Sequence, residues 1–418
     1  MNAPQRSTHA YTWPAEGPSR APYWVFSDED IYAREQARIY RGESWGFLGL
    51  QAEIPQTGDF KSTFIGDTPV VIVRGDDGAI HGWVNRCAHR GALVCRELRG
   101  NATDGTFTCV YHQWSYDTAG NLVGVPFRKG LGGKGGYPAD FDLAAHGLRR
   151  IHVDTQAEAI FGTFSDTVQP LAEYLGEEMC GNLQRVLGRP IRVLGHSRQY
   201  FNGNWKLYAE NARDSYHGGL LHLFYPTFGI YRQGQRGWVH LSPNKLHMML
   251  QICKPSGEQS IEHYQQASSR KADEGAHLQA PEILDWHPEL GGEVPLTIQT
   301  LFPSVVVQQI SNTLAVRQIL PKAVDRTELV WTYYGFEDDS PELTEHRLKQ
   351  FNMVGPAGFI SMEDGEAVEL CQRGVEPDPQ ESSVILMGGE SMDSLEVMGV
   401  DENAIRGFWK GYREIMGL

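Results

Sequence analysis

The sequence is short of basic residues, of cysteine and of long apolar runs. Thirty-seven Lys and Arg against 52 Asp and Glu leave a formal net charge of -15 over 418 residues. That balance argues against a nucleic-acid or anionic-membrane partner, since both are held by a basic face. The opening MNAPQRSTHAYTWPAEGPSR has no apolar core of the kind a secretory signal needs, and no run elsewhere approaches the ~20 apolar residues of a membrane-spanning helix. A cytoplasmic protein is therefore expected. Six cysteines (Cys87, Cys95, Cys109, Cys180, Cys253, Cys371) are too sparse and irregular for a disulfide scaffold, and in a reducing compartment they point to metal ligands or free thiols. Repeats and low-complexity segments are also missing. One formal G-x-G-x-x-G, at Gly130, Gly132 and Gly135, neither follows a strand nor opens a helix, so it is a loop and not a dinucleotide fingerprint.

What is present reads as an α+β chain long enough for two domains. Residues up to about Ser27 are rich in Pro, Ser and Gly with no clear period, and are expected to drape over the surface as an arm or to be disordered. Ser27 with Asp30 predicts a helix N-terminus, and Ile31, Tyr32, Ile39 and Tyr40 share one side of a helix ending near Gly42. Short β-rich runs follow to about residue 165. They include a hairpin of Val70 to Val73 with Ala79 to Val84 through Asp76-Asp77-Gly78, and a second around Asp117 to Asn121. Asp166 to Leu187 predicts a helix. PLTIQTLFPSVVVQQISNTLAVRQILP with TELVWTYYGFE predicts three antiparallel strands, the first pair turning at Ser311-Asn312. Two helices separated near Gly355 come next, and a last helix capped by Asp401 carries Ile405, Phe408, Trp409, Tyr412 and Ile415 on one face.

Two loops of the β-rich region carry Cys87-x-His89 and Cys109-x-x-His112. Two thiolates and two imidazoles could hold a structural zinc or a 2Fe-2S cluster with both cysteines on one iron and both histidines on the other. One cysteine and one histidine per loop favours the cluster. Neutral imidazoles in place of thiolates remove negative charge and raise the potential to roughly -150 to +300 mV. Cys95 lies outside both pairs and reads as a small buried hydrophobe.

The segment Asn204 to His222 gathers Asn211, Asp214, His217 and His222. Two histidines and a carboxylate with open coordination positions would make the facial triad of a non-heme Fe(II) oxygenase. Five residues of helix turn by about 500°, so His217 and His222 share a face only if the helix breaks, as Gly218 and Gly219 permit.

With C-x-H and C-x-x-H in the first half and N-x-x-D-x-Y-H-x-x-x-x-H in the second, the chain resembles the large (α) subunit of Rieske non-heme iron aromatic ring-hydroxylating oxygenases over nearly all its length. In GNWKLYAENARDSYH, GPAGFISMEDGE and IRGFWKGYREIMG it is similar to members acting on aromatic carboxylates such as salicylate, anthranilate, halobenzoate and terephthalate. It departs at Gln113, where many members have Gly. The resemblance implies a small antiparallel β Rieske domain, residues 43–165, inserted in a larger helix-grip catalytic domain. Residues 1–42 would then be an arm and helix of the catalytic domain, and 166–418 its body, with an antiparallel sheet covered by helices and the mononuclear iron.

The resemblance also implies that Cys87, His89, Cys109 and His112 hold the cluster, and that Asp364, with Glu363 as its neighbour in the motif, joins His217 and His222 on the iron. Asp214 would bridge His112 of one subunit to His217 of the next in a homotrimer or α3β3 assembly. Asn211 and Asp214 are the catalytic candidates. Oxygen insertion from O2 into an arene needs two external electrons, so a reductase, with or without a ferredoxin, must refill the cluster, and NAD(P)H enters only through it. Leu220, Leu221, Val307 and Ile360 are candidates to hold the ring. A substrate carboxylate would be very costly to bury unpaired, and Arg meets it with two parallel hydrogen bonds, so Arg317 and then Arg406 are the anchor candidates. If both line one pocket a dicarboxylate follows; if only Arg317 does, a benzoate with an ortho amino, hydroxyl or halogen substituent follows. A Rieske monooxygenase that hydroxylates or demethylates has the same metals, and an electron-transfer protein with a ligand-binding domain lacks only the iron triad.

Overall fold

The computed structural model describes residues 11–254, 264, 275–396 and 400–418. β-Branched and aromatic runs build its two larger sheets. In the first, antiparallel strands Thr68–Arg74 and Ile80–Val84 face each other with Val71 opposite Trp83, joined through the expected turn, where Gly78 takes φ +77°. That hairpin sits inside seven strands running Gly46–Leu50, Ala159–Thr163, Arg150–Gln156, Ile80–Val84, Thr68–Arg74, Asp59–Ile65 and Arg99–Asn101. A three-stranded sheet, Thr106–Thr108, Ser115–Asp117 and Leu122–Gly124, carries the second hairpin. The glycine-rich segment is a chain of turns closed by Tyr137 N–H on the Arg128 carbonyl, with Gly130, Gly132 and Gly135 all at positive φ, and no α-helix follows directly.

The second sheet has eight antiparallel strands in the order Ile191–Phe201, Arg326–Phe336, Thr313–Ala323, Val305–Ile310, Leu296–Leu301, Met248–Ile252, Gly237–Leu241 and Leu395–Glu396. Four of these cover the stretch expected to hold three. Pro303 has no N–H to give a ladder, and the chain turns back there so that Val305 pairs with Leu301. Helices Leu171–Leu175 and Glu177–Leu187 cover one face, where Leu183, Val186 and Leu187 meet Val305, Val307, Leu314 and Val316. They replace one expected helix, because Gly176 at φ +86° ends the first and begins the second. Pro341–Val354 and Ser361–Val375 separate near Gly355 as expected.

The N-terminal stretch departs from expectation. From residue 11 on it is not a surface arm: Trp13, Ala21, Trp24, Val25 and Phe26 are buried in the largest core cluster with Trp409 and Tyr412 of the last helix. The next helix, Glu29–Glu35, is capped by Asp28 and not from Ser27: the Asp28 carboxylate accepts from the N–H groups of Asp30 and Ile31. Beyond it Gln36–Tyr40 continues with a wider turn. In the last helix, Asn403–Met416, Glu402 takes the cap position, although the Asp401 carboxylate still receives the Asn403 N–H.

Successive residues of the Thr313–Ala323 strand join the two large sheets to the site. The Gln318 side chain donates 2.7 Å to the Phe47 carbonyl and accepts 3.0 Å from the Thr63 hydroxyl of the first sheet. Arg317, one residue away, points to the opposite face because side chains alternate along a strand. That face carries a cavity.

Candidate active site and metal centres

Helix Trp205–Asn211 delivers the chain to the cavity. Asn204 caps it by accepting the Lys206 N–H, and the helix stops at Ala212. Turns then replace helix: Asp214 Oδ1 accepts the Tyr216 N–H at 2.7 Å, and the His217 carbonyl takes the N–H groups of both Leu220 and Leu221. These turns solve the five-residue spacing and bring the His217 and His222 rings to 5.2 Å between centroids. Gly219 packs closely there: a Cβ would lie 2.4 Å from the Tyr264 hydroxyl, so a larger residue would have to displace that ring.

Across the cavity, the first turn of helix Ser361–Val375 presents Asp364. Its Oδ1 lies 3.4 Å from His217 Nε2 and 3.1 Å from His222 Nε2. One donor atom from each of the three residues lies within 4.8 Å of the others. The opposite edge of each ring meets another carboxylate: His217 Nδ1 is 3.2 Å from Asp214 Oδ2, and His222 Nδ1 is 2.8 Å from Glu363 Oε2. The Asn211 amide donates 3.0 Å to Asp364 Oδ1.

Burial alone would lower the His217 pKa, but Asp214 and Asp364 outweigh it and push it up to about 10. Burial likewise opposes the charge on Asp364, yet the two imidazoles hold its carboxyl far below the usual carboxylate range. Three carboxylates around two imidazoles, with both Nε2 atoms turned inward, form a cation site, and this donor set fits a divalent iron.

The residues of the cysteine-histidine loops also meet in two pairs, Cys87 with Cys109 and His89 with His112. Cys87 and Cys109 are buried, and the rings of His89 and His112 lie 4.5 Å apart. His89 stacks on Trp114 at 4.8 Å, and its Nδ1 is buried with no hydrogen-bond partner among the described residues, as fits an atom reserved for a cluster iron. Burial raises the Cys109 thiol pKa and Cys87 adds to that, while the N–H groups of Tyr111 and His112 pull it down. Those N–H groups suit an anionic sulfur. Gln113 adopts φ +56°, a left-handed conformation in which glycine carries no side-chain penalty. Cys95 is buried against the Ser62 hydroxyl, outside the cluster ligands.

The cavity is lined by all three triad residues and by Asn211, Asp214, Arg317 and Ile360. Its apolar floor is cross-strand: Ile252 opposes Leu296, Leu296 opposes Ile310, and Leu250 opposes Ile298. These residues, with Tyr225 and Tyr231, escaped the sequence reading, although the period-2 patterns L-x-I at 250–252 and 296–298 carry the signal. Three expected ring contacts are corrected. Val307 is an odd number of residues from Ile310, so it faces the helices on the other side of the sheet. Leu220 and Leu221 form the turn between the histidines and do not line the cavity.

Arg317 is buried; its Nη1 donates 2.9 Å to the Tyr208 hydroxyl and its guanidinium carbon sits 4.4 Å from the Trp331 ring centre. No carboxylate of the described residues pairs with it. Arg406 is corrected from the anchor role. It is buried at the start of the last helix, with bonds to the Ser391, Ile385 and Met387 carbonyls and to Asp401 Oδ1, and it does not line the cavity.

Fold and sites together define a Rieske non-heme iron oxygenase. The chain belongs to the ring-hydroxylating α-subunit family: the model "Ring hydroxylating alpha subunit (catalytic domain)" matches residues 182–418 and "Rieske [2Fe-2S] domain" matches residues 44–134. It is 50% identical to the anthranilate 1,2-dioxygenase large subunit of Burkholderia cepacia, over 97% of this chain and 95% of that one. It is 44% identical to the terephthalate 1,2-dioxygenase terminal oxygenase component subunit alpha 2 of Comamonas sp, over 97% of each. Naphthalene 1,2-dioxygenase from Rhodococcus sp., bound to indole, shares the fold with a TM-score of 0.79 at 22% identity, over 95% of this chain and 94% of that one. The protein is thus an oxygenase subunit with a Rieske 2Fe-2S cluster and a mononuclear iron. Among the described residues no helix is long and apolar enough to cross a membrane.

Proposed function

We propose that this subunit oxygenates the ring of a benzoate with one carboxylate and an ortho substituent, an aminobenzoate first among them. The observation that carries the reading is Arg317, a buried guanidinium on the cavity wall with no carboxylate partner among the described residues. An unpaired buried charge is costly, and a substrate carboxylate would complete it. Arg406 is saturated elsewhere, which disfavours a second carboxylate on the same substrate. The likeness to an enzyme named for anthranilate supports the ortho-amino form.

Residues 43–165 serve as the electron-accepting domain, with Cys87, His89, Cys109 and His112 holding the cluster. The catalytic domain holds iron through His217, His222 and Asp364. When bound, the cluster supplies single electrons and the iron activates O2. Around them the chain orients and excludes. Asp214 and Glu363 turn both imidazoles so that Nε2 faces the cavity, Asn211 braces Asp364, and the apolar floor keeps the arene flat and water out. Electrons come from a separate reductase, with or without a ferredoxin. Subunits form a trimer, alone or with a β subunit, in which Asp214 links His112 of a neighbouring copy to His217.

The test compares kcat/KM for benzoates and their amides in the parent and in Arg317→Gln. Loss of a buried charge-assisted pair should cost the carboxylates about 2 to 5 kcal/mol and the amides much less. Equal losses, or a parent that prefers an uncharged arene, would sink the reading. Product analysis under labelled O2 separates insertion of two oxygen atoms from one.

A further inference from the structure

Among the described residues, the cavity-side face of the sheet holds one amide whose position the ring-binding role does not explain. Gln308 is fully buried, and neither its Nε2 nor its Oε1 has a hydrogen-bond partner among the described residues. Strand register gives its surroundings. It lies two residues from Ile310 on the same strand and directly opposite Ile298, and both of these line the cavity. On the other side it opposes Ala315, which makes it the diagonal neighbour of Arg317. Such diagonals span roughly 7–8 Å, within reach of long side chains.

Arg317 Nε and Trp331 Nε1 are also buried without partners, and Trp331 is the register partner of Arg317. Several unmatched polar groups therefore share one patch of this face, and among them Arg317 lines the cavity. Native proteins seldom leave buried polar atoms unpaired, and clusters of them mark places where something else completes the bonding. A glutamine offers a donor and an acceptor together, with three rotatable bonds to bring its amide beside the guanidinium.

We infer that Gln308 is a specificity-determining residue that hydrogen-bonds an amino or hydroxyl group ortho to the carboxylate held by Arg317. This rests on the arene-carboxylate reading above. An ortho N–H or O–H donates to Oε1, and a hydroxyl or carboxylate oxygen can accept from Nε2. A halogen at the same position offers no donor, and an unsubstituted benzoate leaves the amide unmatched. A site built to bond a substrate polar group rejects the analogue lacking it more strongly than an apolar pocket rejects a change of size.

The experiment uses iron- and cluster-loaded enzyme with its reductase, as the parent, Gln308→Leu and Arg317→Gln. It measures kcat/KM on 2-aminobenzoate, 2-hydroxybenzoate, 2-chlorobenzoate and benzoate, together with the Tm of each variant. Gln308→Leu should lose roughly 10- to 100-fold on the amino and hydroxy substrates, stay within about twofold on the other two, and keep or raise its Tm. Arg317→Gln should lose on all four alike. A Gln308→Leu that loses equally on all four, or on none, overturns the inference while leaving Arg317 as the anchor. A lowered Tm with uniform loss means the amide is structural. Should Arg317→Gln lose nothing, or the parent accept none of the four, the carboxylate reading fails and this inference with it.

Discussion

His222 shows what a single contact can determine. Its Nδ1 meets Glu363 at 2.8 Å while its Nε2 lies 3.1 Å from Asp364, so neighbouring acidic residues on one helix take different jobs. Glu363 holds the ring in the tautomer that leaves Nε2 free for metal. Partners of this kind typically contribute 10- to 100-fold in metal affinity. Glu363→Leu is therefore expected to bind Fe(II) about 10- to 100-fold more weakly in a chelator competition, with the EPR signal of the reduced cluster unchanged. Unaltered iron affinity would show that the contact does not position the ligand.

At the scale of elements, strand alternation assigns adjacent apolar residues to different tasks. Val307 packs against the helices of one face, while Ile310 lines the cavity on the other. Val307→Ala should lower stability by about 2 kcal/mol in urea unfolding and leave kcat/KM near the parent value. Ile310→Ala should instead raise KM for a small benzoate and admit a larger ring. If Val307→Ala changed selectivity and Ile310→Ala did not, the assignment of faces would be wrong.

Across the whole molecule, His247 ties a helix to the catalytic sheet. Its Nδ1 accepts the Phe302 N–H and its Nε2 donates to the Tyr174 carbonyl, both at 3.0 Å, so the buried ring is neutral. Burial, chiefly, lowers its pKa to about 3. A histidine depressed in the folded state adds stability that is full above its ordinary pKa, near 6.5, and is lost as pH falls from there toward about 3. Between pH 7 and pH 5 the loss should be on the order of 1–2 kcal/mol. The urea midpoint of the parent should fall over that interval more than that of His247→Gln; equal slopes would refute it. The proposed trimer gives a second prediction at this scale. Asp214→Ala should keep its cluster yet lose nearly all turnover, with slow oxidation of a pre-reduced cluster in a single turnover. Most of the activity surviving would remove Asp214 from the electron path.

The metal chemistry was legible in the chain itself, because ligand identity and short spacing are local: Cys87-x-His89, Cys109-x-x-His112 and the His217/His222 pair could be read off directly. Both hairpins and the helices either side of Gly355 were legible for the same reason, since turn residues and periodicity act over a few positions. Resemblance to a family, not spacing, supplied Asp364, which stands 142 positions beyond His222 and meets its imidazole only in the fold. What lines the cavity depended on strand register, where a shift of one residue exchanges the two faces, and so Val307 was misassigned and Leu250, Ile252, Leu296 and Ile298 passed unnoticed. Arg317 and Arg406 look alike in sequence, each a charge among apolar neighbours. Tertiary structure separated them: carbonyls from a distant loop saturate Arg406, whereas among the described residues Arg317 meets a tyrosine hydroxyl and an aromatic face beside the cavity and no carboxylate.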